Sequence, residues 1–146
     1  MSHTHRITRA AYAESLQDFR EFIKEHCGAH PLVGSQTLYD IQLAVDEACT
    51  NIITHGYAGM DPGSIILDLE IDTDKLRVYI TDFGHSFEPD NTPIPDVTAP
   101  LDDRPLGGFG VFFIRQSMDQ MEYHVTEDGN TMLLTKHLNR KERGAE

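Results

Sequence analysis

The sequence has no tryptophan, two cysteines, and half as many basic as acidic residues: 12 Lys and Arg against 24 Asp and Glu, a net charge of -12. Each shortage excludes something. Neutralising a phosphate backbone takes lysine and arginine, so this balance argues against nucleic-acid binding. Cys27 and Cys49 fall in two separate predicted helices without metal spacing, and are expected as reduced, partly buried thiols rather than a staple. The eight histidines are scattered and predict no metal cluster. No apolar run approaches the roughly 18 residues of a membrane span. The opening MSHTHRITRAAYAE has no apolar core resembling a signal peptide. A cytoplasmic protein with no membrane segment is expected.

What is present suffices for one domain over residues 1–146, with 39% apolar residues to fill its core. The most informative stretch is Leu38 to His55, LYDIQLAVDEACTNIITH. Leu38, Ile41, Val45, Ala48 and Ile52 recur at steps of three and four, the period of a helix with one buried stripe. On another face Glu47 and Asn51 stand one turn apart, a carboxylate above a carboxamide. Two solvated side chains would fit the same pattern; a wall for a polar ligand is the sharper reading. His55 extends the pair by a further four residues, as a helix-end hydrogen bond or a neighbour of the ligand.

Around that helix the other elements fall into place. A short strand near His5–Thr8 precedes a helix from Ala13 to Cys27 that carries Leu16, Phe19, Phe22 and Ile23, and Gly28 and Pro31 stop it. Ser35 or Thr37 is expected to cap the Asn51 helix. YAGMDPG at Tyr57–Gly63 has loop chemistry. Ile65, Leu67, Leu69 and Ile71 alternate, then Leu76, Val78 and Ile80 do so, which predicts an antiparallel hairpin with one buried face.

The second strand ends in Asp82-Phe83-Gly84-His85-Ser86-Phe87. An Asp at a strand end with Gly two residues later allows a sharp turn beside a ligand, and its carboxylate can accept from an exocyclic amine such as N6 of adenine. From Pro89 to Pro105 five of the seven prolines cluster among aspartates, which denies the segment helix and ladder and marks a long loop, either disordered or a functional lid. Gly107-Gly108-Phe109-Gly110 then opens a helix through Val111–Asp119, where free N–H groups suit a phosphate. A second hairpin, Met121–Thr126 and Thr131–Leu138, closes the domain, and Asn139–Glu146 forms a polar tail.

The order helix with E-x-x-x-N, strand ending D-x-G, long loop, G-G-F-G opening a helix resembles the N, G1 and G2 boxes of the GHKL ATPase superfamily. Within it, LAVDEACTNIITHGY, DFGHSF and GGFGVFFIRQSMDQMEYHVTEDGNTMLLTKHL resemble the anti-sigma factor serine/threonine kinases over roughly residues 5 to 138. The resemblance implies a two-layer α/β sandwich of the α+β kind, a mixed, mainly antiparallel sheet covered on one face by helices, with an ATP lid about residues 88–107. It implies that Asn51 coordinates the Mg²⁺ bridging the phosphates of ATP, and that Glu47 is the general base. Asp82 would accept from the adenine amino group, Gly84 would let the backbone approach the base, and Thr131 would support adenine through Asp82 or a water. Gly108 and Gly110 would bring amides to the phosphates.

Two positions depart from the pattern. Ser86 stands where the superfamily often has a second glycine, as in the anti-sigma kinases. Leu106 stands where some of these kinases carry a basic residue, so Arg104 is expected to take over phosphate contact. The implied function is phosphorylation of a STAS-type anti-sigma factor antagonist by a homodimer that also holds a sigma factor or comparable target. The alternative is a nucleotide-binding regulatory module that sequesters a partner without transfer, which needs Asn51 and Asp82 but not Glu47. An ATP domain serving a histidine phosphotransfer partner fits less well, since only about 35 residues precede the key helix and no phosphoacceptor helix pair is among them.

Overall fold

A computed structural model describes residues 2–86 and 108–138 of the chain, with the backbone alone for 108–110. Strand β1 (His3–Ala10) leads into helices α1 (Ser15–Cys27) and α2 (Ser35–Asn51), the latter continued by one π-helical turn, Ile52–Gly56. Strands β2 (Ser64–Ile71) and β3 (Lys75–Asp82) follow, then helix α3 (Gly108–Ser117) and strands β4 (Gln120–Thr126) and β5 (Gly129–His137). The sheet order is β1-β2-β3-β5-β4. All four pairings are antiparallel, so the expected mainly antiparallel sheet holds, while its mixed character finds no parallel pair among the described residues.

The alternation read from the sequence sets the two faces. Ile65, Leu67, Leu69 and Ile71 of β2 and Leu76, Val78 and Ile80 of β3 are all buried beneath the helices, each flanked by half-buried residues of the open face. From above, α1 contributes Phe19, Phe22, Ile23 and Cys27, and α2 contributes Ile41, Ala44, Val45, Ala48 and Cys49. The core is therefore the single layer between helices and sheet. Both thiols are free and wholly enclosed in it, and burial pushes Cys27 up to about 12. That makes them packing groups rather than nucleophiles.

Two local expectations change. Neither Ser35 nor Thr37 caps α2: Gly34 is the N-cap, and Ser35 already lies inside the helix. The α-helix also stops at Asn51 rather than running to His55. The N–H of Tyr57 reaches the carbonyl of Ile52, five residues back at 3.2 Å, and the Thr54 hydroxyl bonds back to the Thr50 carbonyl at 2.8 Å. Such widened turns are frequent at functional sites.

At the Ile71 end of β2, four histidines distant in sequence converge. His3, His5, His26 and His30 line a cavity of about 610 Å³ floored by Leu32 and Ile71. The His5 and His26 rings stack with centroids 3.9 Å apart. Burial, then the neighbouring imidazoles of His26 and His3, lower the His5 pKa, with Glu25 opposing. His30 is pinned as one tautomer: Leu32 N–H donates to its Nδ1 at 3.0 Å, so Nε2 carries the proton and donates to the Asp72 carbonyl at 2.8 Å.

The sign of the consequence follows. A histidine whose folded pKa is depressed binds fewer protons folded than unfolded, so its contribution is intact above about pH 6.5 and is lost as pH falls toward the folded value. Thermal melts should therefore show wild type losing more stability on acidification from about pH 8 to about pH 5.5 than His5→Phe, which keeps a ring on His26 without the charge. Equal acid losses in the two would show that the stack carries no protonation penalty.

Candidate functional site

At the other end of the sheet, the ends of α2 and β3 and the start of β5 meet. Asp82, the last residue of β3, is 4% exposed and pairs in register with Asn130 of β5. Its Oδ1 takes two hydrogen bonds, from the Gly84 N–H at 2.9 Å and from Asn130 Nδ2 at 3.2 Å. Neither bond engages Oδ2. Burial pushes the carboxyl pKa up, and those two donors pull it back.

Below the carboxylate the backbone is clasped. A Cβ on Gly84 would lie 2.1 Å from the Gly56 carbonyl oxygen, so only glycine fits. The His85 N–H donates to that same carbonyl at 2.5 Å, and the His85 ring nitrogen Nε2 reaches the Ala58 carbonyl at 3.0 Å. Tyr57 closes the clasp: its hydroxyl accepts from the Phe83 N–H at 2.9 Å and donates to the Ser64 carbonyl at 2.7 Å. The π turn explains why this works. The helix ends at Gly56, so that carbonyl has no partner within the helix and is free to accept from the His85 N–H at the end of β3.

On α2, Glu47 and Asn51 are both half-buried. Burial raises the Glu47 pKa, and the neighbouring Asp46 raises it further. Asp46 is itself held by a two-pronged pair with Arg20 of α1, at 2.9 and 3.2 Å. The Asn51 amide nitrogen is buried without a hydrogen-bond partner among the described residues. An unsatisfied buried amide costs about 1–3 kcal/mol, which a bound polar group would offset. A half-turn of the amide would present Oδ1, the carboxamide atom able to ligate a cation, in the same space.

These residues pass the fit to a nucleotide with its cation on two counts: an orphaned carboxamide at Asn51 and a carboxylate oxygen at Asp82 with no hydrogen bond among the described residues. Gly108 and Gly110 lie in the first turn of α3, where backbone N–H groups have no partner within the helix. Helix α3 packs against α2. Arg104, Leu106 and the lid over residues 88–107 lie outside the described residues.

Thr131 lies on β5, the last strand. It pairs with Thr81, one residue out of step with Asp82, and its hydroxyl meets the Thr81 hydroxyl at 3.0 Å on the open face of the sheet. The β5 side chain at the Asp82 carboxylate is Asn130, which the sequence reading missed. Its signal was available, since Asn130 shares parity with buried Met132 and Leu134. Tyr57, read as a loop residue, is the other omission.

Residues 9–136 match the family model described as histidine kinase-like ATPase domain. Among curated proteins, a serine-protein kinase RsbW from Halalkalibacterium halodurans is 38% identical over 109 residues, 70% of this chain and 64% of its own. One of the same name from Bacillus cereus is 32% identical over 107 residues, 70% of this chain and 66% of its own. The chain thus spans just under two thirds of the length of these relatives. Among solved structures, the RsbU and RsbW domains of Rv1364c from Mycobacterium tuberculosis superpose with a TM-score of 0.68 at 18% identity, over 93% of this chain and 32% of that one. The histidine kinase domain of the Erythrobacter litoralis EL346 blue-light activated histidine kinase gives 0.58 at 17% identity, over 90% of this chain and 62% of that one.

Proposed function

We propose, from the premise that the chain belongs to the histidine kinase-like ATPase domain family, that it is a serine/threonine protein kinase acting as an anti-sigma factor. It takes ATP with Mg²⁺ and phosphorylates a serine or threonine of a STAS-type antagonist, and as a homodimer it holds a sigma factor or comparable target. One observation carries the reading: the orphaned Asn51 amide stands one helical turn from Glu47, a carboxylate whose basicity burial increases.

Each residue has a task. Glu47 receives the proton of the substrate hydroxyl on a carboxylate oxygen. Asn51 would hold the cation through Oδ1, and the cation would supply charge neutralisation to the phosphates. Asp82 accepts from the adenine amino group at Oδ2, while the Gly84 N–H holds Oδ1 and the Gly56 carbonyl holds the turn beneath it by accepting from the His85 N–H. Gly108 and Gly110 offer backbone amides, and Arg104 offers a guanidinium, to phosphate oxygens. Thr131 supports the adenine end only through the strand, by way of Thr81 next to Asp82. Phosphoryl transfer is mostly positioning and charge neutralisation, so this short set of groups suffices.

The experiment is single-turnover transfer from γ-labelled ATP with Mg²⁺ to STAS proteins of the same genome, with nucleotide binding measured alongside. Labelled serine or threonine on one candidate is the expected outcome. Binding without transfer to any candidate would favour a nucleotide-binding module that sequesters its partner, a reading that Leu106 in a position basic in some of these kinases supports. Absence of ATP binding would end both readings.

A further inference from the structure

We propose that Asn130 is a positioning residue for base specificity: by holding one oxygen of Asp82, it keeps the other an ionised acceptor and so selects a 6-amino purine over a 6-oxo purine. The inference rests on the nucleotide reading and goes beyond it to a residue that reading gave no role.

The hydrogen-bond roles around Asp82 are forced. Asn130 Nδ2 donates to the Gly84 carbonyl at 2.9 Å, and a carbonyl can only accept, so the amide orientation is fixed. The second hydrogen of the same NH₂ faces Asp82 Oδ1 at 3.2 Å, beside the Gly84 N–H at 2.9 Å. An oxygen that accepts from two N–H donors cannot also carry a proton pointing at them. Any proton on Asp82 must therefore sit on Oδ2, the oxygen left for the ligand.

That leaves two states with opposite preferences. Ionised Oδ2 accepts from the N6 amino group of adenine and repels O6 of hypoxanthine or guanine. Protonated Oδ2 donates to O6 instead. Burial favours the protonated state, and only the two donors on Oδ1 oppose it. The titratable groups facing the carboxylate are Cys49 from α2 and Tyr57 beyond the π turn, both kept neutral by burial, so among the described residues no cation does this work. Asn130 is itself 4% exposed, and water cannot readily replace its amide.

The test compares dissociation constants for ATP and its 6-oxo analogue ITP, in wild type and Asn130→Ala, at about pH 8 and about pH 6. Wild type should prefer ATP by a ratio that stays level over this range. The variant should lose about tenfold or more of the ratio, and lose further as pH falls, since one hydrogen bond to a charged group has gone. A second readout needs no nucleotide: the carboxyl-carbon resonance of Asp82 should titrate at higher pH in the variant. If Asn130→Ala does not fold, the wild-type ratio decides alone, because a ratio that already collapses on acidification means Asp82 is not held ionised. A purely structural Asn130 would weaken both ligands equally; an unchanged ratio with ATP binding intact in wild type overturns this inference alone. Wild type that binds neither nucleotide overturns the nucleotide reading and this inference with it.

Discussion

Glu47→Gln should reduce phosphoryl transfer by about 10²–10⁴-fold, the usual worth of a positioned general base, while ATP affinity stays within about threefold of wild type. The carboxamide keeps the size of the side chain and removes its capacity to take a proton. Because burial and Asp46 both raise the Glu47 pKa, the wild-type transfer rate should climb with pH through a midpoint above the ordinary glutamate value and then level off. Stability moves the other way. An acid whose folded pKa is raised binds more protons folded than unfolded, so its ionised form at neutral pH works against the fold. Glu47→Gln should therefore melt no lower than wild type near pH 7. Rate, binding and melting together isolate the base: a variant that transfers at the wild-type rate removes Glu47 from the chemistry. A variant that loses ATP binding in step with transfer would show that Glu47 shapes the pocket instead.

How much of this site could be read before folding depended on the kind of information each part needs. The Glu47 and Asn51 stack was legible because helical spacing alone brings them together. The β2–β3 hairpin was legible because its buried and half-buried residues alternate without a break. The side Thr131 takes was not legible, because neighbouring strand residues face opposite sides of the sheet and only the Thr81↔Thr131 register reveals it. The π turn left no trace, since a hydrogen bond shifted by one residue changes no side chain. For the same reason Tyr57 looked like loop, although its hydroxyl joins Phe83 to Ser64. The four histidines looked scattered because β1, the end of α1 and the segment after it meet only in the folded chain. Gly84 was read as leaving room for a ligand; what approaches it most closely is the protein's own Gly56 carbonyl.

That close approach carries the other large expected effect. Gly84→Ala would put a Cβ 2.1 Å from the Gly56 oxygen, 2.6 Å from its carbon and 3.2 Å from the Tyr57 ring. The first two are backbone atoms, so no rotamer relieves the overlap and the segments must separate. Separation stretches the His85-to-Gly56 bond, the Phe83-to-Tyr57 bond and the Gly84 contacts with Asp82 and Asn130 together. Overpacking of this sort costs about 1–3 kcal/mol, and lost hydrogen bonds in a buried network add to it. A fall in stability of about 3 kcal/mol or more is expected, with ATP binding weakened about 100-fold or beyond detection in whatever remains folded. Gly59→Ala is the control. Gly59 has φ +76 with nothing within 4 Å of a built Cβ, so alanine there meets backbone strain but no collision. It should cost about 1 kcal/mol and leave ATP affinity unchanged. Should Gly84→Ala instead melt like Gly59→Ala and still bind ATP, the Asp82 carboxylate would be held by its strand alone, and the clasp from the π turn would have no part in binding.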